Sequence, residues 1–192
     1  MYHYPIHNVD LLSDSTLMEY KMFMYGRLVT HLTKIYEVEN SYSGVRVSIY
    51  KNESTLIVKF DVASTLGSMC NETFLGRPNI LGHDFLKLYR TVRYSVKDET
   101  LAMITKYRLP VITIGGGVGG ALAQILMADL LSDLAGTMRE VFLQGVIMLD
   151  TPMVGSHEFS KMVCSRVECI RMGPIKDNRK LGYDISQHER VM

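Results

Sequence analysis

The chain is 192 residues long, 47% hydrophobic and 21% charged, with 21 Lys and Arg against 20 Asp and Glu and a formal net charge of +1. That length suits one domain over residues 1–192 with a core large enough to need no staples. The balanced charge excludes the electrostatic footprint of a nucleic-acid binder, and no run of about 18 apolar residues is present to span a membrane.

The N-terminus, Met1-Tyr2-His3-Tyr4-Pro5, has neither a basic nor an apolar leader region, so a cytoplasmic location is expected. Cys70, Cys164 and Cys169 are an odd set without metal-type spacing, which reads as reduced thiols. Asn52-Glu53-Ser54 and Asn71-Glu72-Thr73 match glycosylation acceptors, and without a leader they read as chance matches.

Residues 1–15 are polar and irregular, an N-terminal arm. Thr16 with Glu19 three residues on reads as a capping box. Tyr25, Leu28, Val29, Leu32, Ile35 and Tyr36 then recur at three and four, which predicts a helix reaching Tyr36. Two alternating runs, Val45–Tyr50 and Thr55–Phe60, flank the polar Lys51-Asn52-Glu53-Ser54 and predict a β-hairpin. Residues 66–81, interrupted by Gly67, Gly76 and Pro78, read as a surface loop. Phe85, Leu88, Tyr89, Val92, Val96, Leu101 and Ile104 keep helical spacing as far as Pro110, which predicts one long helix. The thirteen methionines, among them Met18, Met22, Met24, Met148, Met153, Met162 and Met172, read as adaptable core, with a lipid-facing patch as the alternative.

The chain is organised around residues 111–134. Val111–Ile114 is a short apolar run, Gly115-Gly116-Gly117-Val118-Gly119-Gly120 is a glycine cluster, and a helix-period run extends to about Leu134. Strand, tight turn and helix in that order make the geometry of a nucleophile elbow, in which flanking glycines admit a close approach and a serine sits at the apex. The flanking glycines are Gly115 and Gly119, and the apex position is Gly117. The same letters satisfy G-x-G-x-x-G, a dinucleotide fingerprint. That reading needs an acidic residue about 20 residues beyond the last glycine at the end of the next strand. Asp150 closes the next predicted strand, Val141–Leu149, thirty residues after Gly120. The amides at Val118–Gly120, at a helix N-terminus, keep anion or nucleotide binding open as an alternative.

Over Gly115–Ala123 the chain resembles the class 3, fungal-type lipases of the α/β-hydrolase superfamily, whose elbow commonly reads G-H-S-L-G-G-A-L-A. Gly116 and Gly117 stand at that family's histidine and serine positions. A second stretch, Asp150-Thr151-Pro152-Met153-Val154-Gly155-Ser156-His157-Glu158-Phe159, resembles the family's F-G-S-P-R-V-G-N-x-x-F at Pro152, Val154, Gly155 and Phe159. His83-Asp84-Phe85 and Lys106-Tyr107 resemble the start and stop of the helix before the elbow strand. Phe60-Asp61-Val62-Ala63 lacks the arginine and glycine of the family's oxyanion motif.

The resemblance implies a small α/β-hydrolase-like fold: a mostly parallel sheet with helices on both faces and an N-terminal antiparallel hairpin. It implies an elbow and oxyanion region at Gly115, Gly116, Gly117, Val118 and Gly119. Beyond a late strand, Val167–Met172, Asp177 and His188 stand roughly where a triad's acid and base would. The reading of the same residues as a turn and a chain tail stays open. With no hydroxyl at Gly117 no acyl-enzyme can form there, so a non-catalytic lipase-like protein acting in binding or assembly is expected. A lipid ester hydrolase using another nucleophile, such as Thr151, Ser156 or Cys164, is the alternative. An acyl or lipid-like ligand or a protein partner is expected, with no cofactor and no metal.

Overall fold

The computed structural model describes residues 19–20, 23–24, 31–63 and 83–172. Among the described residues six strands form one sheet in the sequential order β1 to β6. These are β1 (Thr33–Asn40), β2 (Val45–Lys51), β3 (Leu56–Val62), β4 (Val111–Gly116), β5 (Leu143–Leu149) and β6 (Glu168–Met172). β1, β2 and β3 form an antiparallel meander, and β3 to β6 run parallel. Among the described residues the helices from residue 83 onward are α1 (His83–Arg90), α2 (Arg93–Tyr107), α3 (Val118–Asp133) and α4 (His157–Cys164).

Each parallel strand is added on the same side of the last, and right-handed crossovers then place their helices on one face. The main core records this. Val58, Phe60, Val111 and Val146 from the sheet meet Phe85, Tyr89, Val96, Ile104, Leu122, Leu126 and Val163 from α1 to α4. Ile57, Ile112, Ile114, Ile147, Leu149, Ile170 and Met172 point to the other face, where Tyr20 and Phe23, helical residues ahead of the sheet, pack against them. Burial, and secondarily the neighbouring Glu19, pushes the Tyr20 hydroxyl up to about 12. With both faces covered, β4 and β5 read as nearly continuous apolar runs.

Four expectations are corrected. Ile35 and Tyr36 lie in strand β1, not in a helix. Their apolar spacing satisfies both periods over so short a window, and pairing with β2 from Thr33 to Asn40 decides the matter. The edge strand carries Glu37, bonded to Lys34 at 2.7 Å, and Glu39, bonded to Arg46 at 2.7 Å, and such charge discourages edge-to-edge association.

The long helix before β4 is two helices, broken at Thr91-Val92. The Thr91 hydroxyl bonds the Leu88 carbonyl at 2.7 Å and exchanges a 2.8 Å bond with Ser43, while Asn40 Nδ2 donates to the Thr91 carbonyl at 3.3 Å. The β1–β2 turn therefore captures the backbone at the break. Val141 and Phe142 belong to a 3-10 turn, Glu140–Phe142, rather than to strand β5.

The fourth correction concerns the thiols. Cys164, the last residue of α4, and Cys169 in β6 form a disulfide across a Cα–Cα distance of 5.4 Å. The chain separation of five residues gave no sign of this, because it is the reversal from α4 into β6 that brings the two side chains together. Cys70 lies outside the described residues, as do the expected arm over residues 1–15, the Thr16 cap and the loop over residues 66–81.

No helix among the described residues is long and apolar enough to cross a membrane. Met127, Met148 and Met172 are buried core, whereas Met138 and Met162 are exposed. Met18 and Met22 are outside the described residues.

Candidate active-site turn

The carboxyl ends of parallel strands are where open α/β sheets bind ligands, and β4 delivers the glycine cluster to that edge. β4 pairs with β3 as far as Phe60↔Gly115 and with β5 as far as Gly116↔Leu149. The chain then reverses at Gly117, with φ 52° and ψ −126°, and enters α3 at Val118. The Gly117 N–H donates to the Leu149 carbonyl at 2.8 Å, and the Gly120 N–H donates to the Gly117 carbonyl at 3.2 Å. Thr113, buried in β4, donates its hydroxyl to the Ala123 carbonyl at 3.0 Å and ties strand to helix behind the turn.

Space separates the five glycines into two groups. A Cβ at Gly115 would overlap the Gly119 carbonyl group and lie 2.6 Å from Gly120 N. One at Gly119 would lie 2.5 Å from the Phe60 carbonyl oxygen, and one at Gly120 would overlap the Thr151 hydroxyl. These three positions are held at glycine by close backbone packing. At Gly116 the nearest atom to an added Cβ is the Leu149 carbonyl oxygen at 3.8 Å, an ordinary contact. At Gly117 nothing lies within 4 Å, and only the positive φ resists a side chain. Glycine is therefore sterically required at the base of the turn and not at its crest.

The electrostatics at the crest are mixed. Val118 and Gly119 occupy the first turn of α3, where amides have no partner within the helix, and no side chain caps it. Asp150, one residue past β5, also adopts a positive φ of 47° and anchors its N–H on the Met172 carbonyl at 2.8 Å. It is exposed beside the turn. The sequence marks Asp150 as the residue that closes the next strand, thirty residues after Gly120 where a dinucleotide fingerprint needs an acidic residue about 20 on, and as the first residue of the second lipase-resembling stretch. Its left-handed conformation, which Asp tolerates better than most residues, carried no signal in the sequence.

The hydroxyls and thiol named as substitute nucleophiles are engaged elsewhere. Ser156 caps α4, its Oγ accepting from the Phe159 N–H at 3.3 Å. Thr151 is buried under Gly120 and donates to the Leu149 carbonyl at 3.3 Å. Cys164 is in the disulfide. Pro152–Phe159, the second resembling stretch, is the bend that carries the chain from β5 into α4, with Val154 and Gly155 buried. At the neighbouring strand end, the Ala63 N–H is bonded to the Gly44 carbonyl at 3.1 Å. Gly115, Gly116, Gly117, Val118 and Gly119 are thus brought together in one turn, while Asp177 and His188 lie outside the described residues. Among the described residues no group of His, Cys, Asp and Glu is arranged to hold a metal ion.

No family model matches the chain, and no curated protein matches it. Solved structures do. A fungal lipase in complex with an inhibitor is 20% identical, covering 74% of this chain and 57% of its own, with a TM-score of 0.64. The triacylglyceride lipase of Rhizomucor miehei is 20% identical over 74% of this chain and 57% of its own, at 0.63. Another fungal lipase is 14% identical, covering 83% and 63%, at 0.67. The chain spans little more than half the length of the lipases it matches. The likeness is one of fold: a class 3 lipase-like α/β-hydrolase sheet with its helices.

Proposed function

We propose that this chain is a non-catalytic lipase-like protein, which keeps the elbow scaffold for binding an acyl or lipid-like ligand or a protein partner. The observation that carries the reading is the division among the glycines. The three that close packing requires are present, and the crest position that has room for a nucleophile, Gly117, has no side chain. A triad without its nucleophile retains only about 10³–10⁴-fold acceleration over water. The engagement of Thr151, Ser156 and Cys164 speaks against a lipid ester hydrolase working through one of them. The exposed Asp150 beside the α3 N-terminus speaks against an anion or nucleotide as the ligand, since a carboxylate there opposes the helix dipole's attraction. In this reading Asp177 and His188 are the relic acid and base of the lost triad. The expectation of a cytoplasmic location drew on the N-terminal residues and, secondly, on reduced thiols, and the Cys164–Cys169 bond withdraws the second of these supports.

The test is a fluorophosphonate probe with short- and long-chain acyl esters, applied to the native protein and to Gly117→Ser. The native protein should neither label nor turn over, and the variant should label at the new serine and hydrolyse esters weakly. His188→Ala in the Gly117→Ser background should abolish that gain. Stoichiometric labelling of any serine in the native protein overturns the proposal.

A further inference from the structure

The Cys164–Cys169 disulfide bears on a motif that the candidate site does not use. Such bonds persist in oxidising compartments and are rare where cellular thiols keep cysteines reduced. In the compartment where eukaryotic chains form disulfides, Asn-x-Ser is also a substrate motif, the acceptor of an N-linked glycan.

Asn52-Glu53-Ser54 forms the reversal between β2 and β3. The Asn52 Oδ1 accepts from the Ser54 N–H at 2.9 Å, the Thr55 N–H at 2.7 Å and the Ser54 hydroxyl at 3.2 Å. The Asn52 N–H donates to the Thr55 carbonyl at 3.1 Å, which completes the turn. The carboxamide oxygen is thus engaged three times, whereas Nδ2 makes no hydrogen bond among the described residues. Glu53 and Ser54 are exposed and Asn52 is half-buried. A substituent on Nδ2 would therefore cost the fold none of these bonds, because the turn is held through the oxygen and the backbone.

The geometry points to Asn52 as an N-glycosylation site, and we propose that the chain matures in an oxidising, secretory-type compartment. The donor is a lipid-diphosphate-linked oligosaccharide. Its anomeric C1–O bond breaks as the Nδ2–C1 bond forms, Nδ2 gives up one proton, and the lipid diphosphate leaves with the electron pair, so nothing is oxidised or reduced. The turn precedes Leu56, which pairs with Val111 at the start of β4, whereas Phe60 pairs with Gly115 at its end. A glycan on Asn52 would thus stand at the opposite edge of the sheet from Gly117 and leave the candidate site open.

The experiment takes the full chain from cells of its own source, alkylated at harvest, and maps its peptides before and after peptide-N-glycosidase in heavy-oxygen water. The expected result is an Asn52 peptide converted to Asp with one heavy oxygen, and a Cys164–Cys169 peptide pair that resists alkylation. On gels, Asn52→Gln and Ser54→Ala should each lose the enzyme-sensitive mobility shift, and Ser54→Thr should keep it. An Asn52 peptide found wholly unmodified overturns the proposal, as does a glycan confined to Asn71 or a Cys164 alkylated in full.

Discussion

At the scale of single residues, the turn at the carboxyl edge separates glycines demanded by packing from glycines that are not. Gly115→Ala places a methyl group into backbone that cannot yield, so it should cost about 3 kcal/mol or more, by the same reasoning that makes overpacking expensive in a close-packed interior. Gly116→Ala meets only the Leu149 oxygen at 3.8 Å and should stay within about 0.5 kcal/mol of the parent. Urea denaturation of the two variants measures the contrast, and equal losses would contradict the packing account. Gly117→Ser falls between them. It has open space but a positive φ, so its cost is the backbone strain alone, on the order of 1–3 kcal/mol.

At the scale of elements, a charged cluster fastens three helices together. Asp129 of α3 receives a fork from Arg93 of α2, at 2.7 and 2.8 Å, and the Tyr89 hydroxyl of α1 at 2.9 Å. Lys97 reaches both Asp129, at 3.7 Å, and Asp133, at 2.7 Å. Partial burial works to raise the Asp129 carboxyl, but the bonds from Arg93 and Tyr89 and the charge of Lys97 outweigh it and hold the group below the usual range. Burial, with Asp129 beside it, pushes the Tyr89 hydroxyl far up. A carboxylate whose folded pKa is depressed contributes stability above its unfolded value of about 3.9, and loses that contribution as pH falls through the folded value. Asp129→Asn should therefore lower stability by about 2 kcal/mol at neutral pH, the worth of charged hydrogen bonds on a part-buried acceptor. The gap between variant and parent should shrink in acid below about pH 4. Thermal melts across that range check both the size and the sign, and a gap that widened in acid would refute the assignment.

At the scale of the whole molecule, the sheet grows strand by strand in one direction, and β6 at its far edge is bound to the body through α4. The Cys164–Cys169 disulfide joins these two elements. Arg166 in the same reversal bonds Glu140 and the Leu131 carbonyl, the latter at 3.0 Å. Closing so short a loop should contribute about 2 kcal/mol. A reductant should then lower the melting temperature by about 4–8 °C for a chain of this size. Cys164→Ala with Cys169→Ala should match the reduced parent and no longer respond to reductant. An unchanged melt on reduction would show that the bond is not holding this edge.

What the sequence by itself determined is local and periodic. The hairpin strands, the β4–turn–α3 unit with its positive φ at Gly117, the span of α3 and the late strand β6 were all legible, because alternation, helical spacing and glycine clusters act within a few residues. The resemblance to class 3 lipases rested on the same short segments, and the fold agrees with it. Tertiary structure alone decided the rest. Thr33–Asn40 became a strand because β2 offered it a ladder, and Thr91 became a helix break because Ser43 and Asn40 seized it from 48 and 51 residues away. The disulfide depended on a chain reversal, and the distinction between required and free glycines depended on Phe60 and Thr151 arriving from β3 and beyond β5. The physical reason is common to all four: each is settled by a contact between two different elements, and even where the partners are near in sequence, as Cys164 and Cys169 are, only the path of the chain between those elements brings them together.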